Sequence, residues 1–542
     1  MNNDIKHAIH YHEETKHSEV SLQMSAHYLD WDNKPRPFKV YPDLPSISLP
    51  QDFPIPTADT LTSIGSLHPL LPDSPLDIPT LAQLLFFSAG ITREMKYDSG
   101  TYYMRAASAT GALYPIELYI ICKDMSGLPA GVYHFCPGDF SLTELRNGDY
   151  RTRLAAMAGG NHDILSSPVT VAFTSLAWRN SWKYGDRSYR HWFWDSGVIA
   201  ANLLAVTISA GLQTALVTGF VDPAVNNLLR VEQRREAAVV LAPIHSSLPK
   251  GANFCDFRPA PEPVPVVASP KILAISKREV ESPEIWKLHD ASSLVNIEQV
   301  TEWLSRRINF DQDMPSNTAS ENLHQEHTDD RLPDRESRAL GNVILRRGSS
   351  RRFSHLEISR FQLSTLLRSS TRGVPMDVLN EGESLVDIYF IANAVKGLAP
   401  GHYFYNRHAN SLERLETKQE IASRNESGYL CLGQPLFSDA SAVFFIMTDL
   451  NAVLKAFGNR GYRVSQFEAG VVAGKIYLSS YAQGLGASGS TFYDDAVTEI
   501  FSPHAKDKSA MIAIGVGIPA YKARPGKILA ARLTKSQLLS NQ

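Results

Sequence analysis

The stretch "RRGSSRRF" at residues 346–353 places four arginines and two serines in eight positions. Guanidinium groups bind phosphate through paired hydrogen bonds, and neighbouring hydroxyls add neutral donors. The following stretch, "LEISRFQLSTLLRSS", has helical periodicity, so a helix N-terminus is expected to add backbone donors. These residues predict either a phosphate site or an exposed basic patch at the end of a linker.

A second group with chemical potential is "WKYGDRSYR", in which Lys183 and Tyr184 are adjacent. Both side chain types have ordinary pKa values near about 10, so they exchange protons at neutral pH only when burial or a nearby charge shifts those values. Arg187 and Arg190 are expected to supply that charge. The alternative interpretation is a solvated patch at the start of a helix.

Other motifs with catalytic associations receive less support. "GLGASG" at residues 484–489 satisfies GxGxxG, but a dinucleotide-binding turn follows a strand and this one follows a helical pattern. We interpret its glycines as a helix C-cap and a tight loop. No GxSxG nucleophile motif occurs in the sequence. We expect no metal at the N-terminal histidines, which come without cysteine or carboxylate spacing: His7, His10, His12 and His17.

The composition narrows the class of protein. With 542 residues and 43% hydrophobic residues, the chain predicts more than one globular domain. Its net charge of −3 gives no basic field for nucleic acid or an anionic membrane. The four cysteines are scattered, and no long apolar run or signal-like segment occurs. We therefore expect a cytoplasmic protein with no nucleic-acid partner and no membrane partner.

The chain repeats itself. "YRHWFWDSGVIAANLLAVTISAGLQT" from Tyr189 aligns with "YRVSQFEAGVVAGKIYLSSYAQGLGA" from Tyr462 at an offset of 273 residues. The alignment matches Tyr-Arg, an acidic-small-Gly triplet and a later Gly-Leu. "DPAVNNLL" at Asp222 likewise matches "DDAVTEIF" at Asp494. Several matches in one order at nearly constant offset indicate an internal duplication.

Each half mixes helical and strand patterns. Apolar spacing predicts a long amphipathic helix at about 191–211 and its copy at about 464–484. Runs such as "IELYIIC" and "SAVFFIMT" predict strands, and the lack of strict βαβ alternation predicts an α+β fold. The predicted organisation is an extended N-terminal arm (1–74), a first domain (75–245), a Pro-rich and polar linker (246–336) and a second domain (337–542).

Seven stretches along the chain resemble the nitroreductase superfamily and, within it, the SagB/ThcOx-type dehydrogenases, which include azoline oxidases of peptide natural-product pathways. These are "YHEETKHS", "DWDNKPRPFKVYP", "LLFFSAGIT", "RAASATGALYPIELY", "KYGDRSYR", "TGFVD" and "STFYDDAVTEIFSPHA". The resemblance implies an α+β flavoprotein with FMN where two nitroreductase units meet. Because this chain is duplicated, we expect two tandem nitroreductase-like domains that form an intrachain pseudo-dimer.

The resemblance also implies site residues. It places phosphate and ring contacts of FMN in the second half: Arg347, Ser349, Arg351, Ser488, Gly489, Ser490, Lys522 and Arg524. It places contacts of the opposing unit in the first half: Arg105, Ser108, Thr110 and Gly111. The family usually has Pro-Ser-Ala-Gly where this chain has Ser-Ala-Thr-Gly at 108–111, so the expected hydroxyl is displaced to Ser108 or Thr110. The Lys-Tyr pair that azoline oxidases use in proton transfer matches Lys183 and Tyr184.

The repeat allows the reciprocal site to be compared within the chain. The counterpart of "RRGSSRRF" is "SLHPLLPD" at 66–73, which has no arginine, and the counterpart of Lys183-Tyr184 is Ala456-Phe457. The counterpart of "GALYP" has diverged to "VPMDVLNEGES" at 374–384. We therefore predict one FMN per chain, bound between the halves.

The predicted function is an FMN-dependent dehydrogenase or oxidase that removes two hydrogens from an azoline-like or other C–N or C–C bond. Its substrate is expected to be a small molecule or a peptide, with other biosynthetic enzymes as partners. Whether the pseudo-dimers associate into a further homo-oligomer is left open by the sequence. Two alternatives remain open: an NAD(P)H-dependent nitro or quinone reductase, and a non-catalytic scaffold of a biosynthetic complex.

Overall fold

The computed structural model describes residues 2–24, 27–72, 74–98, 100–246, 264–306, 320–323, 332–416 and 424–540. The α-helices within these ranges are α1 (Lys6–Glu14), α2 (Glu19–Met24), α3 (Thr60–Gly65), α4 (Ile78–Ala89), α5 (Arg151–Met157), α6 (His162–Ser166), α7 (Ala177–Tyr184), α8 (Ser188–Ser209), α9 (Asp222–Leu229), α10 (Pro283–Ala291), α11 (Ile297–Leu304), α12 (Leu340–Arg346), α13 (Arg360–Ser370), α14 (Arg424–Leu430), α15 (Pro435–Asp439), α16 (Leu450–Phe457), α17 (Arg460–Ala482), α18 (Asp494–Ile500) and α19 (Lys535–Ser540). The strands are β1 (Ser46–Ser48), β2 (Ile91–Tyr97), β3 (Gly100–Arg105), β4 (Ile116–Cys122), β5 (Gly131–Cys136), β6 (Ser141–Asn147), β7 (Val169–Leu176), β8 (Gln213–Thr214), β9 (Glu236–His245), β10 (Ser320–Asn322), β11 (Asp387–Ala392), β12 (Gly401–Asn406), β13 (Ser411–Arg414), β14 (Ala442–Thr448), β15 (Gly486–Ser490) and β16 (Ser509–Gly517).

Two antiparallel sheets of the same topology confirm the predicted duplication and the α+β fold. The first has the strand order β1-β6-β5-β4-β7-β9-β8, and the second has the order β10-β13-β12-β11-β14-β16-β15. Position by position, the second order repeats the first. The β2–β3 hairpin forms a separate sheet and belongs to the first half.

Helices α8 and α17 form the centre of the molecule, close to the predicted positions. The prediction that they are amphipathic is wrong, because all 22 residues of α8 are buried. A helix enclosed on every side needs no polar face. The continuous helical segment 177–209, which includes α7 and α8, is among the described residues the one long and apolar enough to cross a membrane, and its most apolar stretch of 18 residues is wholly buried in the core.

Two glycines allow α8 and α17 to cross closely. A Cβ atom on Gly197 would lie 2.5 Å from the backbone nitrogen of Val471, and one on Gly470 would lie 2.6 Å from the carbonyl oxygen of Trp194. Both contacts are with backbone atoms, which cannot rotate away as a side chain can. The glycine of each acidic-small-Gly triplet is therefore required by the helix crossing.

Buried ion pairs join the halves reciprocally. Arg187 and Arg190 of the first half donate to Asp494 at 2.9 and 2.7 Å. In the opposite direction, Arg460 and Arg463 donate to Asp222, each at 2.6 Å. The Tyr-Arg and Asp matches of the sequence repeat thus form the interface of the pseudo-dimer.

The two segments outside the domains contain more structure than the sequence indicates. The N-terminal arm is not extended throughout, because it includes α1, α2 and α3, and Tyr11 of α1 packs edge-on against both Tyr189 and Tyr462 at 5.7 Å. The linker includes α10 and α11, whose Trp286 and Trp303 are buried. The Pro-rich and polar linker stretches themselves lie largely outside the described residues.

Candidate active site

The arginine-rich segment follows the end of a helix. Helix α12 ends at Arg346 and α13 begins only at Arg360, so the expected helix N-terminus beside the arginines is absent from this described segment. The segment instead runs along β15: the backbone N–H of Ser350 donates to the carbonyl of Ala487 at 2.9 Å. A Cβ atom on Gly486 would overlap the Ser350 side chain, which explains a glycine at that position.

Arg347 connects this segment to the first half. Its Nε donates to the carbonyl of Ala106 and its Nη2 to the carbonyl of Arg105, both at 2.9 Å. The guanidinium is buried, and burial lowers its pKa. Arg105 is buried as well, and its Nη2 donates to the carbonyl of Pro37 in the arm. Both arginines therefore hold the two halves and the arm together at the edge of the site.

Three other cationic side chains belong to two neighbouring segments of the backbone, at residues 351–352 and 520–524. The N–H of Arg351 donates to the Tyr521 hydroxyl at 3.0 Å, and the N–H of Ala520 donates to the carbonyl of Arg352 at 3.1 Å. This pairing places the segment of Arg351 next to the segment that carries Lys522 and Arg524, and all three residues are exposed. Together with the hydroxyl of Ser349, they form a donor set suited to a phosphate ester.

Arg93, which the sequence did not indicate, also reaches this segment. It lies on β2 of the first half, and its Nη2 donates to the carbonyl of Arg346 at 2.8 Å. A cation at the carbonyl end of α12 is electrostatically favourable. Its Nε is buried without a hydrogen-bond partner. No motif in the sequence marks Arg93, and among the described residues of the second half the β2–β3 hairpin that carries it has no counterpart.

The residues Ser488, Gly489 and Ser490 form part of strand β15, although a loop was expected after the helix C-cap. Gly484 does have a positive φ of 76°, which ends the helical segment as predicted. The N–H of Gly489 donates to the Tyr477 hydroxyl at 2.6 Å, and that hydroxyl lies 3.4 Å from Oγ of Ser349. Tyr477 thus joins the strand to the arginine segment. Its counterpart at the 273-residue offset is Leu204, a difference that would have revealed Tyr477 in the sequence.

The predicted residues of the first half meet at a turn. The N–H and the hydroxyl of Thr110 both donate to Oδ1 of Asp195, at 2.9 and 2.8 Å. Gly111 has a φ of 64°, and a Cβ atom there would lie 2.5 Å from the Tyr184 hydroxyl. Tyr184 is therefore packed directly on the Thr110–Gly111 turn, while Ser108 lies half-buried just before it.

Lys183 and Tyr184 occupy the end of α7. The Lys183 ammonium lies 5.2 Å from the centre of the Tyr184 ring. Burial, with a smaller contribution from the cation of Lys34, lowers the pKa of Lys183. Burial raises the pKa of Tyr184, and the nearby Asp195 raises it further. The expected source of charge was wrong: Arg187 and Arg190 bind Asp494 instead.

The reciprocal position is filled by the chain itself. Leu216 is the counterpart of Gly489, and its N–H donates to the carbonyl of Pro375 at 2.7 Å. The N–H of Asp377 donates to the carbonyl of Leu216 at 3.0 Å. The Asp377 carboxylate then accepts the N–H of Thr218 at 2.9 Å. Residues 374–377, hereafter the plug, pair with the backbone at Leu216, just beyond the end of β8, at the position that corresponds to Gly489 of β15.

Comparison with known proteins places this architecture in one family. The model described as "Nitroreductase family" matches residues 344–518. The crystal structure of a "putative nitroreductase" from Anabaena variabilis aligns with 95% of this chain and 99% of its own, at 25% identity and a TM-score of 0.72. Residues 344–518 belong to the nitroreductase family, and the chain as a whole has the fold of the Anabaena protein. The alignment spans both halves, so the molecule consists of two tandem nitroreductase-like domains.

Two further relatives match this chain in sequence over part of its length. A protein named "Putative nitroreductase" from Methanocaldococcus jannaschii is 27% identical over 202 residues, which are 37% of this chain and 96% of that protein. The microcin B17-processing protein McbC of Escherichia coli is 25% identical over 136 residues, which are 24% of this chain. The match spans only 50% of McbC.

Proposed function

We propose that this nitroreductase-superfamily protein is an FMN-dependent dehydrogenase of the SagB/ThcOx type that holds one FMN between its halves. The observation that carries the proposal is the single donor set of Arg351, Lys522, Arg524 and Ser349. Three exposed cations and a hydroxyl on adjacent backbone match the chemistry of a phosphate monoester. Strand β15 lies against this set, and the turn that carries Gly111 belongs to the opposite half.

Bound FMN would supply the two-electron redox chemistry, as an acceptor of hydride from the substrate. The protein's own residues would manage the proton. Lys183 is the better base of the two, because its lowered pKa lets the ammonium lose its proton more easily, and the amine so formed would accept a proton from the substrate. Tyr184, whose pKa is raised, remains a neutral phenol and donates a hydrogen bond that orients the substrate. Loss of one hydride and one proton leaves a C=N or C=C bond.

The proposed substrate is an azoline-like ring or a similar bond in a peptide-derived or small-molecule intermediate. The name of the relative McbC, a microcin B17-processing protein, supports a substrate of the processing kind, and we propose other biosynthetic enzymes as partners. The names of the Anabaena and Methanocaldococcus relatives favour the second candidate, an NAD(P)H-dependent reductase. The Lys-Tyr pair favours the dehydrogenase, because hydride transfer from NAD(P)H to flavin requires no protein base.

The two directions of electron flow can be separated in one anaerobic experiment. The oxidised holoprotein is mixed either with a thiazoline-containing model peptide or with NADPH, and the visible absorbance of the flavin is followed. The dehydrogenase proposal expects bleaching by the peptide and a product lighter by two hydrogen atoms in the mass spectrum. Rapid bleaching by NADPH with no change in the peptide would support the reductase instead.

A further inference from the structure

The acidic residue of each repeat triplet is buried beside the helix crossing. Asp195 of α8 is 3% exposed, and its counterpart Glu468 of α17 is fully buried. Each carboxylate accepts a backbone N–H from the segment that precedes the central strand of its own half: Thr110 donates to Asp195, and Leu385 donates to Glu468 at 2.8 Å. The acid therefore makes the same kind of contact in both halves. In the first half the contact is to the turn that touches Tyr184.

Helix α8 holds Tyr184 from two directions. His191 packs edge-on against the Tyr184 ring at 4.7 Å between ring centres. One helical turn later, Asp195 accepts two hydrogen bonds from Thr110, and the adjacent Gly111 lies against the phenol hydroxyl. His191 therefore packs directly against the ring of Tyr184, and Asp195 acts on its hydroxyl indirectly, through the Thr110–Gly111 turn.

The charge of Asp195 also reaches Tyr184. Burial raises the pKa of Asp195 to about 7, although the hydrogen bonds from Thr110 act in the opposite direction. The groups packed around this carboxyl are Asn180 and Tyr184 from α7, Tyr114 and Thr110 from the turn region, and Arg105 from β3. His191, on the same helix, has a pKa held well below its usual value by burial and by Arg187 and Arg190, so it stays neutral as Asp195 titrates.

We propose that Asp195 is a positioning residue for Tyr184: it fixes the Thr110–Gly111 turn against the phenol, and its negative charge disfavours the phenolate. The catalytic importance of this contact rests on the role of Tyr184 in the proposed function. The contact itself does not depend on FMN or on a substrate. Asp195 would thereby set the position of the phenol that faces the substrate and add to the effect of burial, which already favours the neutral phenol.

The test uses the full chain without flavin, labelled with ¹³C at Cζ of tyrosine, because the Cζ resonance responds to charge near the phenol oxygen. A spectrum of Tyr184→Phe identifies the Tyr184 signal. In the wild type we expect this signal to shift with a midpoint near pH 7, the pKa of Asp195. In Asp195→Asn we expect a signal that does not move over the same range.

Glu468→Gln is the matched control, since it removes the counterpart acid, whose pKa is also raised to about 7 by burial. The Tyr184 signal in this variant should titrate as in the wild type. Thr110→Val, which keeps the carboxyl but removes one hydrogen bond, serves if Asp195→Asn does not fold, and it should change the midpoint of the Tyr184 titration. A Tyr184 signal that is flat in the wild type, or that titrates equally in Asp195→Asn, would overturn the proposal. Because no flavin is present, either outcome leaves the proposed function to be judged separately.

Discussion

Lys183 and Tyr184 are adjacent in the chain, yet burial moves their pKa values in opposite directions. Burial disfavours the charged form of each group, so the lysine loses its proton more easily and the tyrosine keeps its proton more firmly. The pair thus offers a base and a hydrogen-bond donor side by side. This division of roles could not be derived from the sequence, in which both residues have the same ordinary pKa.

At the residue scale, Lys183→Ala and Tyr184→Phe should each retain FMN but lower turnover by about 10²- to 10⁴-fold, the usual contribution of a general acid or base. Neither side chain belongs to the phosphate donor set, so flavin content should not fall. Steady-state kinetics and the flavin absorbance of the purified variants measure both quantities. Lys455→Ala, an exposed lysine on the counterpart helix α16, should leave turnover unchanged. Wild-type turnover in Lys183→Ala would exclude the lysine as the base.

The buried acid of the second half gives a pH dependence of stability. The native carboxyl of Glu468 keeps its proton up to about pH 7, because burial raises its pKa, whereas an unfolded glutamate ionises near about pH 4. The native state therefore binds an extra proton in this window, and its stabilising contribution is lost as the pH rises through the window, by up to about 1.4 kcal/mol per pH unit.

Glu468→Gln has no such proton to lose. Its melting temperature relative to the wild type should therefore rise between about pH 5 and about pH 8. Differential scanning fluorimetry across this range makes the comparison. A constant difference between the two proteins would show that the Glu468 carboxyl is already ionised at pH 5.

At the scale of elements, the crossing of α8 and α17 depends on glycine. Gly470→Ala would place Cβ 2.6 Å from the carbonyl oxygen of Trp194, so the helices must separate. We expect a loss of about 1–3 kcal/mol of unfolding free energy, typical of overpacking. Gly65→Ala is the control, since its Cβ would lie 3.8 Å from the nearest atom, an ordinary contact. Chemical denaturation should show little loss, or a small gain, for the control, and equal losses in both variants would count against a tight crossing.

The ion pairs between the halves predict a second effect at this scale. Burial raises the pKa of Asp494, but Arg187 and Arg190 outweigh it and hold that pKa well below the usual range. Asp494→Asn leaves two buried cations without their counter-charge and should cost about 3–5 kcal/mol of unfolding free energy. Glu281→Gln, in an exposed pair with Arg234 at 3.2 Å, should cost less than about 1 kcal/mol. A loss below about 1 kcal/mol for Asp494→Asn would contradict a stabilising role for the buried ion pairs of Asp494 with Arg187 and Arg190.

For the whole molecule, the repeat was enough to predict the two-domain fold, because matched residues in both halves perform shared structural work. The matched arginines and aspartates form the ion pairs between the halves, and the matched glycines lie at the crossing of α8 and α17. Arg93 was not predictable from a motif, because within the described residues only the first half has the hairpin that carries it. The contact of the plug with Leu216 was not predictable either, because the segment 374–384 has diverged from its counterpart "GALYP". The helices of the arm and linker were also missed, because their short apolar runs bury side chains such as Trp303 only against the assembled core.

The asymmetry of the halves is the central proposal: the arginine segment and β15 would hold one FMN, while the plug fills the reciprocal position. A direct test saturates the protein with FMN, removes the excess and measures the flavin released per chain. We predict one FMN per chain for the wild type. Arg351→Ala should weaken FMN binding by about 10- to 100-fold, the cost of one charge-assisted contact, whereas Leu71→Ala at the counterpart position should not. Two flavins per chain, or none, would contradict the account.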